Sequence, residues 1–389
     1  MLKLGVHPAS VKTMLARALQ PILADRLLTS RKILILYGPR QVGKTTLVKQ
    51  LLAGSGLRQL HINADEARYL DVLASRDLNQ LKLLVEGYDL LFIDEAQRVP
   101  DIGLNLKILH DGLPALKIIV TGSSSFELAN RTQEPLTGRT WTYTLYPIAT
   151  TELRAHHNQF ELRELLEPQL LYGGYPEVFG LANQQDKAQY LRELSTAYLY
   201  RDILEMANLR YPDKLRKLLR LLALQVGSAV SLNELGNSLQ ISKDTVATYL
   251  DLLEKAFVVF RLSGFSRNLR KEVVKMDKVY FYDLGVRNAI LNNFSPLLTR
   301  TDVGAMWENF LVVERRKRNA YLSYPALPYY WRTYTGAELD YVEDADGQLA
   351  GYEFKWSRKA LTPPASWLDT YPTATYNGIN RESYLDFVL

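Results

Sequence analysis

Ile33-Leu34-Ile35-Leu36-Tyr37-Gly38-Pro39-Arg40-Gln41-Val42-Gly43-Lys44-Thr45-Thr46-Leu47-Val48 is the stretch on which the reading of this chain turns. Its first five residues form an apolar run of strand type. Gly38 to Thr45 fit the spacing G-x-x-x-x-G-K-[ST], and Thr46 to Leu52 read on as a helix. The glycines admit backbone conformations closed to residues with a Cβ. The loop's N–H groups can then converge on a phosphate, and the helix that follows adds its positive N-terminal end. Lys44 would reach the β- and γ-phosphates, and the Thr45 hydroxyl would bind Mg²⁺. Gly38, Pro39, Arg40, Gln41, Val42, Gly43, Lys44, Thr45 and Thr46 are therefore the candidate nucleotide-binding residues.

Outward from this loop, strands and helices alternate. Val11 to Leu28 has helical spacing and leads into the first strand. Strands are expected at 58–63, 89–95, 117–121 and 140–145, with helices over most of 65–86 and over 102–110. Such alternation predicts an α/β fold, a parallel sheet covered on both faces. Leu90-Leu91-Phe92-Ile93-Asp94-Glu95 ends in two carboxylates at the C-terminal end of a strand, where the ligand crevice of such sheets lies. Asp94 would hold the Mg²⁺ shell, and Glu95 would orient and deprotonate the attacking water. Ser123 or Ser124, after the next strand, would reach the γ-phosphate, and Arg139 is a candidate charge-stabilising arginine or a surface ion pair.

The chain has 389 residues, 47% of them hydrophobic, which suits two or three ordinary cores. It has no cysteine, which excludes disulfides and thiolate zinc sites. No stretch approaches the roughly 18 apolar residues of a membrane span, so a cytoplasmic protein with no membrane contact is expected. The net charge is +5, and the whole excess falls between Arg201 and Lys275, with 13 basic and 8 acidic residues. That fits a surface for double-stranded DNA over residues 213–275, as well as an ordinary solvated helical face.

Beyond Pro147 the pattern changes. Residues 151–208 read as mostly helical, broken at Gly173-Gly174, and the adjacent His156-His157 pair reads as a loop. Helices over 213–226, 231–239 and 243–256, then strands over 257–262 and 278–283, follow winged-helix order. Asp244, Thr245, Thr248 and Tyr249 would face outward, with Arg267, Arg270 and Lys271 on the wing. A helical unit that packs on the first domain and touches no DNA is the alternative. A helix over 304–319 and strands over 329–334, 337–343 and 351–355 come next, and the tail from Pro363 is uninformative. The expected domains are a core at 1–150, a helical lid at 151–212, a winged-helix-like unit at 213–295 and an α/β domain at 296–389.

Gly38-Pro39-Arg40-Gln41-Val42-Gly43-Lys44-Thr45-Thr46, Phe92-Ile93-Asp94-Glu95-Ala96-Gln97, Thr121-Gly122-Ser123-Ser124, Leu136-Thr137-Gly138-Arg139 and Gly173-Gly174-Tyr175-Pro176-Glu177 resemble the motifs of a large prokaryotic family. Its members join an AAA+-like P-loop ATPase to a C-terminal domain of unknown function. The resemblance implies ATP and Mg²⁺ as cofactors and a sheet order of 5-1-4-3-2; an oligomer would be compatible with it. Near the end, Glu353-x-Lys355 on one strand face, with Asp340 before it and Glu308 on the preceding helix, resembles the PD-(D/E)XK restriction-endonuclease-like core. That resemblance implies Mg²⁺ on Asp340, Glu353 and the Phe354 carbonyl, with Lys355 activating water. The expected function is an Mg²⁺-dependent ATPase coupled to a DNA-associated C-terminal half. The alternatives are an ATP-controlled nuclease and a nucleotide-switched binding protein without cleavage.

Overall fold

A computed structural model describes residues 15–123, 136–198, 211–267, 276–357 and 361–389 of the chain. Strands β1 (Ile33–Tyr37), β2 (Gln59–Asn63), β3 (Leu90–Asp94), β4 (Lys117–Gly122) and β5 (Thr140–Thr144) form one sheet in the order β2-β3-β4-β1-β5. All its pairings are parallel. This is the expected 5-1-4-3-2 order. β1 and β3 are buried at every position, which is why both read as unbroken apolar runs. Helices Leu19–Thr29, Lys44–Ala53 and Ile102–Gly112 pack against them.

Two local expectations are corrected. The helix expected from Val11 begins at Leu19, since 15–18 are not helical; 11–14 lie outside the described residues. The stretch 65–86 is two short helices, Ala67–Leu73 and Leu78–Leu84. Arg76 between them has φ 54°, a left-handed conformation that cannot continue a helix. Asp77 then caps the second helix by accepting from Asn79 N at 2.8 Å.

Short helices from Thr150 to Glu193 follow the sheet. Their break at Gly173-Gly174 is a docking point. Gly173 has φ 70°, and a Cβ there would lie 2.1 Å from Asp283 Oδ1. Gly174 N donates to Asp283 Oδ2 at 2.7 Å, and Asp283 also caps helix Leu284–Leu291 by accepting from Val286 N at 3.0 Å. Burial raises the pKa of this carboxyl, and the N–H donors around it oppose the rise.

Helices Pro212–Leu224, Leu232–Leu239 and Lys243–Lys255 come with a second sheet of β6 (Ala229–Val230), β7 (Val259–Leu262) and β8 (Asp277–Phe281), antiparallel in the order β6-β8-β7. The third sheet is mixed. It holds β9 (Leu327–Arg332), β10 (Glu338–Ala345), β11 (Gln348–Phe354) and β12 (Thr375–Ile379) in the order β12-β11-β10-β9, with only β11 and β12 parallel. The tail is therefore structured. Helix Ala365–Thr370 crosses to β12, and helix Tyr384–Val388 buries Tyr384, Leu385, Phe387 and Val388.

The long helix Val303–Tyr321 joins the first and third sheets. Thr150 N donates to Glu314 Oε2 at 2.6 Å, and Tyr146 N donates to the Tyr321 hydroxyl at 3.2 Å. Lys317 Nζ donates to Ile148 O at 3.2 Å and pairs with Glu314 at 2.7 Å, both side chains buried. No helix of the described residues is long and apolar enough to cross a membrane.

Candidate functional site

The loop after β1 is shaped by its glycines. Gly38 has φ 149°, and a Cβ there would lie 2.2 Å from Leu145 O. Gly43 has φ 97° and sits just before helix Lys44–Ala53, whose N-terminus opens toward the loop. Lys44 is buried, and its Nζ donates to Gly38 O and Pro39 O, each at 2.9 Å. Its ammonium thus already lies at the mouth of the loop.

Parallel strands bring the remaining groups to the same edge. Thr45 Oγ1 donates to Asp94 Oδ2 at 2.7 Å, and Thr121 Oγ1, on β4, donates to Asp94 Oδ1. A hydroxyl and a carboxylate in contact are the oxygen donors that a hard divalent ion takes, so Mg²⁺ fits here. Glu95 follows with φ 53°, a conformation costing roughly 1–2 kcal/mol, which turns its side chain out of the strand. Gln97 Nε2 donates to Glu95 Oε2 and, at 2.9 Å, to Ser123 Oγ. Glu95 and Ser123 are thus linked, with Gln97 as a connector that sequence reading had not assigned. Ser124 lies outside the described residues.

Arg139 is elsewhere, a correction for any role at its own subunit's nucleotide. Its carbonyl accepts from Ile33 N at 2.9 Å, at the start of β1, about 13 Å of strand from the loop. Its guanidinium forks onto Asp111 at 2.9 and 3.0 Å and, with His110, holds that carboxyl well below the usual range.

Sequence reading missed Arg17. This buried guanidinium donates to Val42 O in the loop at 2.8 Å, to Tyr146 O at 2.6 Å and to Glu152 Oε1 at 3.0 Å. Beside the loop lies a cavity of about 570 Å³, bounded by Val42, Gly43 and Leu47 on one side and Tyr172, Gly173 and Lys187 on the other. Burial lowers the Lys187 pKa. Tyr190 closes over the loop, its hydroxyl donating to Gln41 Oε1 at 2.9 Å.

In the helix–turn–helix, Ser242 caps the third helix by accepting from Thr245 N at 3.1 Å. Asp244 and Thr248 are exposed as expected. Tyr249 is not: it is 3% exposed, and its hydroxyl donates to Tyr211 O at 3.3 Å. One turn on, the helix must bury the face that carries Val246, Leu250 and Leu253, and Tyr249 belongs to it. The wing is also corrected. Phe265 N donates to Tyr330 O at 2.7 Å, and Tyr330 N to Ser263 O at 3.0 Å, so 263–265 lie along the outer edge of β9. Phe265 enters the core of the third sheet with Trp331 and Trp367. Arg267 pairs with Asp344 at 3.5 Å, while Arg270 and Lys271 lie outside the described residues.

Glu308, Asp340, Glu353 and Lys355 do come within electrostatic reach of one another. A register shift between Leu339 and Val342 puts Asp340 in a bulge of β10, a device that re-aims a side chain. Burial first, and Glu308 second, push its carboxyl up to about 7. Lys355 Nζ lies 3.1 Å from Glu353 Oε1, in keeping with one shared face. Sequence reading missed Lys278, Tyr280, Glu338 and Tyr376 in this cluster. Period-two spacing of Lys278 and Tyr280 was the available signal for the first two.

Residues 30–154 match a protein family described as an AAA domain. Residues 163–297 and 303–366 match two families described as domains of unknown function, DUF8612 and DUF4143. The chain is 30% identical over 346 residues to the "Uncharacterized protein Rv2008c" of Mycobacterium tuberculosis, covering 88% of this chain and 73% of that one. It is 26% identical to the "Uncharacterized protein MJ1544" of Methanocaldococcus jannaschii, covering 75% and 68%. Among solved structures it is similar to the Walker-type ATPase PABY2304 of Pyrococcus abyssi, with 18% identity, a TM-score of 0.48 and coverage of 70% and 94%. It is also similar to the RuvB Holliday junction branch migration motor of Thermotoga maritima, with 18% identity, a TM-score of 0.33 and coverage of 65% and 92%. The chain therefore belongs to the protein family that includes Rv2008c, and it carries a P-loop, AAA-like ATPase domain followed by two domains of unknown function.

Proposed function

We propose that the chain hydrolyses ATP with Mg²⁺ and couples its nucleotide state to its C-terminal half. The observation that carries this reading is the 2.7 Å contact of Thr45 with Asp94, next to Glu95, at the C-terminal ends of parallel strands. Lys44 would exchange the carbonyls of Gly38 and Pro39 for the β- and γ-phosphates, and the loop from Arg40 to Thr46 would wrap them. Mg²⁺ on Thr45 and Asp94 would offset the phosphate charge. Glu95 would take the proton of the attacking water, with Gln97 holding its carboxylate and Ser123 facing the γ-phosphate. The nucleoside would enter the cavity between Val42 and Tyr172. Arg139, tied to Asp111, keeps a role only toward the nucleotide of a neighbouring subunit. The domain limits that go with this reading are 1–150, 151–212, 213–295 and 296–389.

Steady-state ATP turnover tests it. Lys44→Ala should lose ATP affinity. Glu95→Gln should bind ATP but turn over at least about a hundredfold more slowly, because an amide accepts no proton. Equal turnover in Glu95→Gln and wild type would remove Glu95 from the mechanism. A wild-type chain that binds ATP without hydrolysing it, with and without DNA, would leave a nucleotide-switched binding protein.

DNA association is the second reading. Arg216, Lys217 and Arg220 support it, since they are exposed along helix Pro212–Leu224 beside the helix–turn–helix. The nuclease alternative draws only on the proximity of Glu308, Asp340, Glu353 and Lys355, and the donors around them oppose it.

A further inference from the structure

The carboxylates of the C-terminal cluster come from separate elements: Glu308 from helix Val303–Tyr321, Glu338 and Asp340 from β10, and Glu353 from β11. Among them stands a lysine from another sheet. Lys278, on β8, is 4% exposed, with Nζ at 3.0 Å from Glu308 Oε1 and 2.7 Å from Glu338 Oε1. Two residues along the same strand face, the Tyr280 hydroxyl donates to Glu308 Oε1 at 2.7 Å. Gly227 crowds the other side, where a Cβ would lie 3.3 Å from the Glu308 carboxyl carbon.

The other carboxylates are taken up as well. Asp340 Oδ2 accepts from Phe354 N at 2.7 Å. Glu353 Oε2 accepts from the Tyr376 hydroxyl at 3.1 Å, and Glu353 Oε1 faces Lys355 at 3.1 Å. A divalent ion needs several oxygens converging on one point without competing donors. Here Glu308 and Glu338 converge on an ammonium, and Asp340 holds a main-chain N–H. Among the described residues, no set of three or more acids or histidines is arranged to hold a metal. The donor set does not fit the ion implied by the restriction-endonuclease-like resemblance.

We propose that Lys278 is the resident cation of this cluster. Its ammonium fills the position a divalent ion would take, and the cluster is an ionic joint rather than a metal-dependent cleavage site. Placement supports this. β8 is the central strand of its sheet, so Lys278 is fixed from both sides. The same ammonium lies 5.5 Å from the ring of Tyr330, the residue that pairs with Ser263–Phe265. The joint therefore ties the helix–turn–helix unit to the third sheet at two adjoining points. It stands independently of the ATPase reading.

The test is a Mn²⁺ titration of the full, chelator-treated, nucleotide-free chain, followed by the electron paramagnetic resonance signal of free Mn²⁺. Wild type and Asp340→Asn should bind the same number of equivalents, because any ion at the phosphate loop is common to both. Lys278→Met should gain one equivalent, and Asp340→Asn in that background should abolish the gain. Lys278→Arg should fold and gain none. An equivalent in wild type that Asp340→Asn removes would overturn the proposal. So would a Lys278→Met chain with wild-type circular dichroism that gains no ion. The first comparison needs no change at Lys278, so it decides the matter even if that variant fails to fold.

Discussion

Asp340 is a residue whose protonation couples to stability. Its carboxyl, ordinarily near 3.8, is pushed up to about 7, first by burial and then by Glu308. With the folded pKa above the unfolded one, the folded chain keeps a proton that the unfolded chain gives up. This contribution is complete below about pH 4 and is lost as pH rises through about 7. Wild-type stability should therefore fall more steeply than that of Asp340→Asn between about pH 5 and pH 8, read from urea midpoints; parallel curves would mean that Asp340 is ionised in the folded chain. At this scale the sequence was legible where chemistry is local. Lys44 and Thr45 sit within one loop, and Asp94 and Glu95 end one apolar strand. Arg17 was not legible, because its partner Glu152 lies 135 residues away. Lys278 was hidden for the same reason: its spacing to Tyr280 marks a shared strand face, but not that its ammonium will meet Glu308 and Glu338 from two other elements.

Elements were easier to place than their partners. The alternation of strands and helices gave the parallel sheet, since β1 and β3 are buried throughout and are apolar up to the Asp94 that ends β3. The helix–turn–helix was equally legible from its Ser242 cap and its apolar stripe. What periodicity could not convey is which surface each element meets. The exposed positions Lys243, Asp244 and Thr248 carry no net positive charge, and Arg261 is held by Asp251 and Glu254. Of the expected wing, Ser263 to Phe265 line β9 and Arg267 pairs with Asp344. If DNA binds this unit, the exposed Arg216, Lys217 and Arg220 of helix Pro212–Leu224 are, among the described residues, the cluster to meet phosphates. DNA affinity should then fall with salt at a log–log slope of roughly −0.9 per contact. Replacing Arg216 and Lys217 with Ala should flatten that slope by about two units. An unchanged slope would assign the helix to protein contact.

Across the whole molecule, the buried contacts run without a gap from the phosphate loop to the C-terminal cluster. Arg17 joins Val42 to Glu152 and Tyr146, Tyr146 and Thr150 meet Tyr321 and Glu314, and the helix carrying those residues also bears Glu308. A change in the loop on nucleotide binding has a continuous packed route to the third sheet. The strand cover at Tyr330 bears on how the chain is made. Residues 263–265 leave the ribosome before β9 does, so the partner for that strand is already waiting when the sheet assembles. The β9 edge is then covered at Tyr330 rather than offered to other nascent chains. A fragment beginning at residue 303, where the last family match starts, would lack that partner. It should self-associate in light scattering, whereas one beginning at residue 213 should stay monodisperse. A monodisperse fragment from 303 would show that the edge protects itself. If instead the fragment from 303 self-associates, segments that look like separate domains along the sequence have to be inherited, and tolerated by the cell, as one piece.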